Sequence, residues 1–383
     1  MATYAFEYTE PTDEERALRE EVRAFLAAEL PAEFAQHEPS LGMSARHSAE
    51  FSKKMAEKGW LGMALPRRYG GHDRNAVARF VVVEEMLRSG APVGAHWVAD
   101  RQTGPQLMHF GTEAQREKFL PAIAAGECWF SIGMSEPDSG SDLASVRTQA
   151  TKGDGGWLLN GTKIWTSGAQ RNHYFIVLCR THPAESSKHQ GLSQFLVPLD
   201  SPGLTINPIA FLDGTTEFNE VVMEDVFVPD DMVVGELGHG WQQVTSELAF
   251  ERAGPDRFLS AWQVFTWFVD KLGDDAPPDW LERAGRISAR FWSLRQLSMA
   301  VSRAIDAGGA PAVEASIVKD IGTNFEQEIV QAIAEALDHE PSLDEAEVGA
   351  QLLARAVLTG PSFTIRGGTT EILRSVAAKG LRR

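Results

Sequence analysis

Apolar residues recur at helical spacing from Thr12 to about Gly126, at strand spacing from Trp129 to about Gly235, and at helical spacing again after Gly240. The first stretch opens on "TDEERALREEVRAFLAAEL". Thr12 is placed to cap a helix, acids fill the first turn, and Leu18, Val22, Phe25 and Leu26 share one face. "SAEFSKKMAEKGW" and "AVARFVVVEEMLRSG" continue the pattern. "PRRYGGHD" interrupts it with Pro66, Gly70 and Gly71, and Thr112 is placed to cap "EAQREKFLPAIAAGE".

Between Trp129 and Gly235 the runs are short and rich in β-branched and aromatic residues: "WLLNGTKIWTSG", "NHYFIVLCRT", "SQFLVPLD", "NEVVMEDVFVP". The dipeptide Asn160-Gly161 predicts a hairpin turn. Beyond Gly240, "WQQVTSELAFERAGPDRFLSAWQVFTWFVDKL" reads as a long helical run, apolar on one side, and three further helical stretches follow "DDAPPDW". The expected class is α+β multidomain: an all-α domain over 1–127, a β-domain over 128–236 and a helical bundle over 237–383. No β-α-β alternation and no glycine-rich dinucleotide fingerprint occur, so a nucleotide cofactor has to be held in another way.

Charge narrows the partners. With 36 basic against 53 acidic residues the net charge is −17, which argues against nucleic acid or an anionic membrane surface. No run approaches the roughly 18 apolar residues of a membrane span, and the first residues lack a basic-then-apolar leader, so a soluble cytoplasmic protein is expected. Cys128 and Cys179 sit in apolar surroundings and read as buried free thiols; a disulfide framework or a metal site has no support.

Three stretches carry chemistry. "SIGMSEPDSGSDLASVRTQA" puts Ser135, Gly140 and Ser141 around a turn, with Glu136 and Asp142 placed to orient the loop; read alone, it could equally be a solvated connector. "GTKIWTSGA" follows, and Trp165 and Ser167 can face the same space, a flat aromatic beside hydroxyls that suits a flat heterocycle. Near the end, "IRGGTTEILR" sets two glycines and two threonines before a helix, an arrangement that suits an anion.

"GTEAQREKFLPAIAAGE", "SEPDSGSD", "LNGTKIWTSGA", "GELGHGW" and "GGTTEI", in this order, resemble the acyl-CoA dehydrogenases over essentially the whole chain. The resemblance implies FAD wedged between three domains and oxidation of an acyl-CoA thioester to the trans-2-enoyl-CoA. Electrons would pass to an electron-transfer flavoprotein, in fatty acid or lipid catabolism. On this resemblance Met134, Ser135, Gly140 and Ser141 line the flavin and the thioester, and Trp165 and Ser167 contact its ring. Thr369 and Glu371 hold its phosphate and ribityl side, Glu371 standing where Gln is more familiar.

The family chemistry removes an α-proton while hydride leaves the β-carbon, and it needs a carboxylate poised over the substrate. Many members carry that Glu just before the Gly-Thr of the terminal motif, where this chain has Gly367. Others supply it from the helix after the β-domain. Glu251 falls on that position, with Arg252 beside it and Glu247 one turn earlier as the competitor. Outside the resemblance, Glu251 reads as a surface Glu paired with Arg252 or Arg257. Ser141, Glu247, Arg252 and Gly367 are the expected substrate-side positions, and Gly367 suggests room for a bulky or branched acyl group.

The chain departs from the family by lacking its Arg-x-x-Phe-Gly motif and its Gln-x-x-Gly-Gly segment, of which Gln331 alone is kept. Both reach across a subunit interface. Two readings follow: a hetero-oligomer in which a paralogous chain supplies the cationic end, or a homo-oligomer using Arg286, Arg290 or Arg295. A flavin oxidase or monooxygenase, and a non-catalytic subunit completing a paralogue's FAD site, are the alternatives to a dehydrogenase.

Overall fold

The computed structural model describes residues 6, 8–36, 41, 47–184, 186–337 and 340–381. In chain order the elements are α1 (Asp13–Gln36), α2 (Ala49–Glu57), α3 (Ala76–Arg88), α4 (Gly104–Phe110) and α5 (Glu113–Ala124). The strands follow: β1 (Phe130–Gly133), β2 (Gln149–Gly153), β3 (Gly156–Ser167), β4 (Tyr174–Arg180), β5 (Leu192–Pro198), β6 (Leu204–Ile209), β7 (Phe218–Pro229) and β8 (Val233–Val234). Last come α6 (Gly240–Glu251), α7 (Trp262–Asp270), α8 (Pro278–Asp306), α9 (Ala312–Ala334), α10 (Val348–Thr359) and α11 (Thr370–Leu381). The expected helix–sheet–helix order is present. Among the described residues no helix is long and apolar enough to cross a membrane.

By packing, the chain forms two compact units. One comprises His47–Arg74 and Val93–Leu248; the other comprises Met1–Arg46, Asn75–Pro92 and Ala249–Arg383. The sheet belongs to the first. Its strand order is β6-β7-β3-β2-β4-β5-β8, with β1 on β4. Phe130, Phe175, Val177, Phe195, Val197, Val221 and Val228 form its buried face, packed with Leu107 of α4 and Phe119, Leu120 and Ile123 of α5. Thr112 caps α5 in a reciprocal box with Gln115, at 3.2 and 3.1 Å. Cys128 and Cys179 are buried free thiols, and burial pushes them up to about 11 and about 12.

Asn160-Gly161 is not a hairpin. The turn lies at Asp154-Gly155, since Gly153 pairs with Gly156 and Gln149 with Asn160, so Asn160 sits inside β3. What the dipeptide serves is a bulge in β7. Register slips between Leu159 and Gly161, and Asp225 there adopts φ 51°. The Asn160 amide donates to Asp225 Oδ1 at 2.8 Å, and Asp225 N donates back to Asn160 Oδ1 at 2.9 Å. Gly161 must be glycine, because a Cβ would fall 2.6 Å from Thr148 Oγ1.

In the second unit Thr12 accepts from Glu15 N at 3.2 Å, and Leu18, Val22, Phe25 and Leu26 are buried, as their spacing predicts. The long run after Gly240 is broken. Gly254-Pro255 ends it, because proline removes a backbone donor and crowds the preceding turn. The chain crosses by a 3₁₀ turn, Pro255–Arg257, before α7 begins. That turn buries Asp256 and Arg257. Below it, α9 buries Lys319, whose Nζ donates to Gly368 O at 2.6 Å and Thr364 O at 3.4 Å. Burial first, then the charges of Arg257 and Arg366, lower Lys319 to about 7.

An unfolded lysine titrates near about 10.4. Between about 7 and that value the unfolded chain keeps a proton the folded chain has shed, so this group makes stability rise with pH. Lys319→Met removes the slope. The variant's stability relative to wild type should be highest at pH 6.5 and fall by up to roughly 1.4 kcal/mol per pH unit towards pH 9. Urea midpoints of both proteins at the two pH values check this; parallel pH profiles would contradict it.

Candidate functional site

In the sheet unit, β1 delivers the chain into the loop 134–148 and β3 brings it back alongside. Glu136 N donates to Ser139 O at 2.8 Å and Ser139 N to Glu136 O at 3.0 Å, which closes a tight turn. The Glu136 carboxylate accepts from Arg147 N at 2.6 Å and Thr148 N at 2.9 Å. Asp142 accepts from Ser145 Oγ at 2.6 Å and pairs with Lys188. Both acids orient the loop. Met134 and Ser135 are half-buried: Met134 packs against the cluster of Val146, Leu178, Leu192 and Val244, and Ser135 O accepts from Ile164 N at 2.9 Å. Gly140 and Ser141 are exposed at the loop's tip, and a Cβ on Gly140 would meet nothing within 4 Å.

Trp165 stands in a second bulge. Pairing runs Lys163 to Val221 and resumes at Thr166 to Asn219, leaving one extra residue on β3. Its backbone is left-handed, φ 61°, and the indole is 52% exposed. A bulky residue held this way costs about 1–3 kcal/mol, and such strain concentrates where function needs it. Phe218 supports the ring edge-on at 6.1 Å. Ser167 ends the strand half-buried, its carbonyl accepting from Ser131 Oγ at 2.7 Å. Thr166 Oγ1 and Ser139 Oγ are buried without a hydrogen-bond partner among the described residues.

In the second unit Gly367 and Gly368 take φ 65° and 94°, and Thr369 then starts α11 by accepting from Leu373 N at 3.0 Å. Thr370 Oγ1, on the first turn, is buried with no partner among the described residues. Glu371 is exposed. Its own backbone N–H and then the Thr369 hydroxyl hold its carboxyl below the usual range, so the acid is tied locally. Beneath the loop, Arg366 Nη2 donates to Glu326 Oε2 at 2.9 Å. A Cβ on Gly367 would fall 3.0 Å from both Nη atoms of the buried Arg257, and one on Gly368 would fall 3.6 Å from Arg252 Nη2. The left-handed backbone favours glycine at 367, and a side chain there would need the Arg257 guanidinium to give way by a few tenths of an ångström.

The arrangement gathers Met134, Ser135, Gly140, Ser141, Trp165 and Ser167 in one unit, and Arg252, Gly367, Thr369 and Glu371 in the other. The backbone of Glu247 and Glu251 lies in the last turns of α6, and the side chains of residues 247–251 lie outside the described residues. Arg286, Arg290 and Arg295 all pair with acids of their own unit, Glu282, Glu328 and Glu84. Gln331 bonds Glu335 at 2.8 Å. Sequence reasoning missed Lys163, Arg257, Lys319 and Thr370. A lone lysine inside the apolar strand pattern "GTKIW" was the available signal for the first.

Each unit by itself carries groups that fit part of a flavin: the sheet unit an exposed flat ring, an open glycine tip and the orphaned hydroxyls of Ser139 and Thr166, the other unit a helix N-terminus after two left-handed glycines. Family models for the N-terminal, middle and C-terminal domains of acyl-CoA dehydrogenase match residues 12–127, 131–226 and 276–382. Acyl-CoA dehydrogenase FadE29 of Mycobacterium tuberculosis is 33% identical, with 97% of each chain covered. FadE34 of the same organism is 33% identical over 85% of this chain, which spans 45% of that longer protein. Among solved structures, the Tcur3481-Tcur3483 steroid ACAD superposes with a TM-score of 0.85 at 30% identity, covering 98% of both chains. The ChsE4-ChsE5 complex from M. tuberculosis gives 0.83 at 28%, covering 98% of this chain and all of the matched one. The chain belongs to the acyl-CoA dehydrogenase family of flavin-linked oxidoreductases.

Proposed function

We propose that this chain carries out the FAD-dependent α,β-dehydrogenation of an acyl-CoA thioester, giving the trans-2-enoyl-CoA, with Glu251 as the base. The observation that carries the reading is Trp165: a bulky indole held exposed on a strained, left-handed backbone is explained by a flat ligand against it. When bound, FAD supplies the acceptor for the β-hydride.

The chain's own residues do the rest. Trp165, Ser167, Met134 and Ser135 hold the ring, with Gly140 and Ser141 at the thioester edge. Thr369, Thr370 and Glu371 take the phosphate and ribityl side. Glu251 removes the α-proton, and Arg252 stands beside it. Position 367 cannot carry a carboxylate without a left-handed side chain pressed on Arg257, which supports a base on α6. Glu247, one turn earlier on that helix, is the competing base.

The second chain of the site is part of the proposal. The motifs that reach a neighbour's FAD are missing, and Arg286, Arg290 and Arg295 are engaged within their own unit. Two solved structures similar to this chain are named for two different subunits. A paralogous partner therefore supplies the cationic end, and the neighbour named for a steroid points to a bulky, ring-bearing acyl group. Electron-transfer flavoprotein is the proposed acceptor.

Glu251→Gln should keep bound flavin yet bleach it roughly 10²–10⁴-fold more slowly on anaerobic mixing with acyl-CoA, while Glu247→Gln bleaches near the wild-type rate. Near-normal bleaching by Glu251→Gln would overturn the base assignment. Reoxidation by air as fast as turnover would favour an oxidase instead. A visible spectrum addresses the shared site: the chain purified alone should be colourless and turn yellow when co-expressed with the neighbouring paralogue. About one flavin per chain in the isolated protein would contradict it.

A further inference from the structure

Lys163 lies on β3 with its side chain fully buried, and it pairs with Glu136, whose side chain is 7% exposed. Its Nζ donates to Glu136 Oε1 at 2.8 Å and to Met134 O at 3.1 Å. Glu136 in turn takes Arg147 N and Thr148 N, at 2.6 and 2.9 Å. One ammonium thus ties the start of the loop, its inner carboxylate and, through that carboxylate, its end. Two residues on, β3 leaves the ladder at Trp165. Between them Ile164 N holds Ser135 O at 2.9 Å.

A buried ion pair is a weak source of stability. Replacing both partners by apolar groups of similar volume is often neutral or stabilising. What an apolar pair cannot do is aim two backbone N–H groups and a carbonyl. Burial raises the Glu136 carboxyl, yet the Lys163 charge and the bonds from Lys163, Thr148 and Arg147 bring it below its usual range. Gly133 is the close neighbour that leaves room for the stem, since a Cβ there would fall 3.3 Å from Lys163 Cγ and 2.9 Å from the Phe175 ring.

We infer that Lys163 is a positioning residue for the flavin site, setting the loop that carries Ser135, Gly140 and Ser141 through Glu136, and setting the emergence of Trp165 along its own strand. The inference rests on the flavin reading above. With its side chain fully buried, Lys163 acts through the loop and the strand rather than by contact.

Arg147 provides a readout that needs no cofactor. Its side chain is 81% exposed while its backbone N–H is held by Glu136, so trypsin cleavage after it reports how often the loop opens. Lys163→Met and the double variant Lys163→Met/Glu136→Met are compared with wild type for cleavage at Arg147, thermal midpoint and FAD affinity in the assembly that binds flavin. Both variants should be cut at least tenfold faster and bind FAD at least tenfold more weakly, while the double variant regains the wild-type midpoint. A double variant that regains cleavage resistance and affinity along with its midpoint would overturn the inference, the pair then being only a filler of the core. Normal FAD affinity in a faster-cut variant would overturn the link to the flavin site. If Lys163→Met does not fold, Glu136→Gln with the double variant decides by the same measurements. Wild-type protein that takes up no FAD in any assembly would instead overturn the flavin reading, and the protease comparison separates that failure from this one.

Discussion

A side chain at position 367 would need a left-handed backbone and would press on the face of a buried guanidinium, with its Cβ 3.0 Å from both Nη atoms of Arg257. Two left-handed glycines give the terminal loop its approach to α11 and leave Thr369 and Thr370 at the helix start. They also leave the terminal motif without a carboxylate at 367. Glu251 on α6 is the proposed source of the base. Arg257, Lys319 and Arg366 form the cationic bed under the loop. Their mutual repulsion, added to burial, is why Lys319 titrates near neutrality.

The sheet unit solves a related problem with the opposite tool. Where the terminal loop is held by glycine and buried cations, the loop 134–148 is held by one carboxylate and one ammonium. Trp165 stands beyond that pair on a strained backbone that the flanking ladder enforces. Both edges of the proposed ring site are thus fixed from inside the sheet, while Gly140 and Ser141 remain free at the surface.

Much of this was legible. Helix starts at Thr12 and Thr112 follow from short polar side chains before amphipathic runs, and the structure has both caps. The five ordered motifs located the loop, the bulged tryptophan and the glycine pair. Other features were not legible, for physical reasons. Asn160-Gly161 has the chemistry of a tight turn, but a bulge on the facing strand uses the same amide and the same missing Cβ. Lys163 sits in a period-2 pattern where a lysine ordinarily faces water, and only its buried partner, 27 residues earlier, shows that it points inward. Arg257 reads as a surface residue of a helix; Gly254-Pro255 breaks that helix and turns it into the core.

Removal of the α-proton can be measured apart from hydride transfer. A thioester with sulfur in place of the β-carbon keeps an acidic α-hydrogen and has no β-hydride to lose, so its exchange in D₂O isolates the base. Wild type and Glu247→Gln should exchange the α-hydrogen at similar rates, and Glu251→Gln at least roughly 100-fold more slowly. Exchange by Glu251→Gln at the wild-type rate, or its loss in Glu247→Gln, would contradict the assignment of Glu251 as the base.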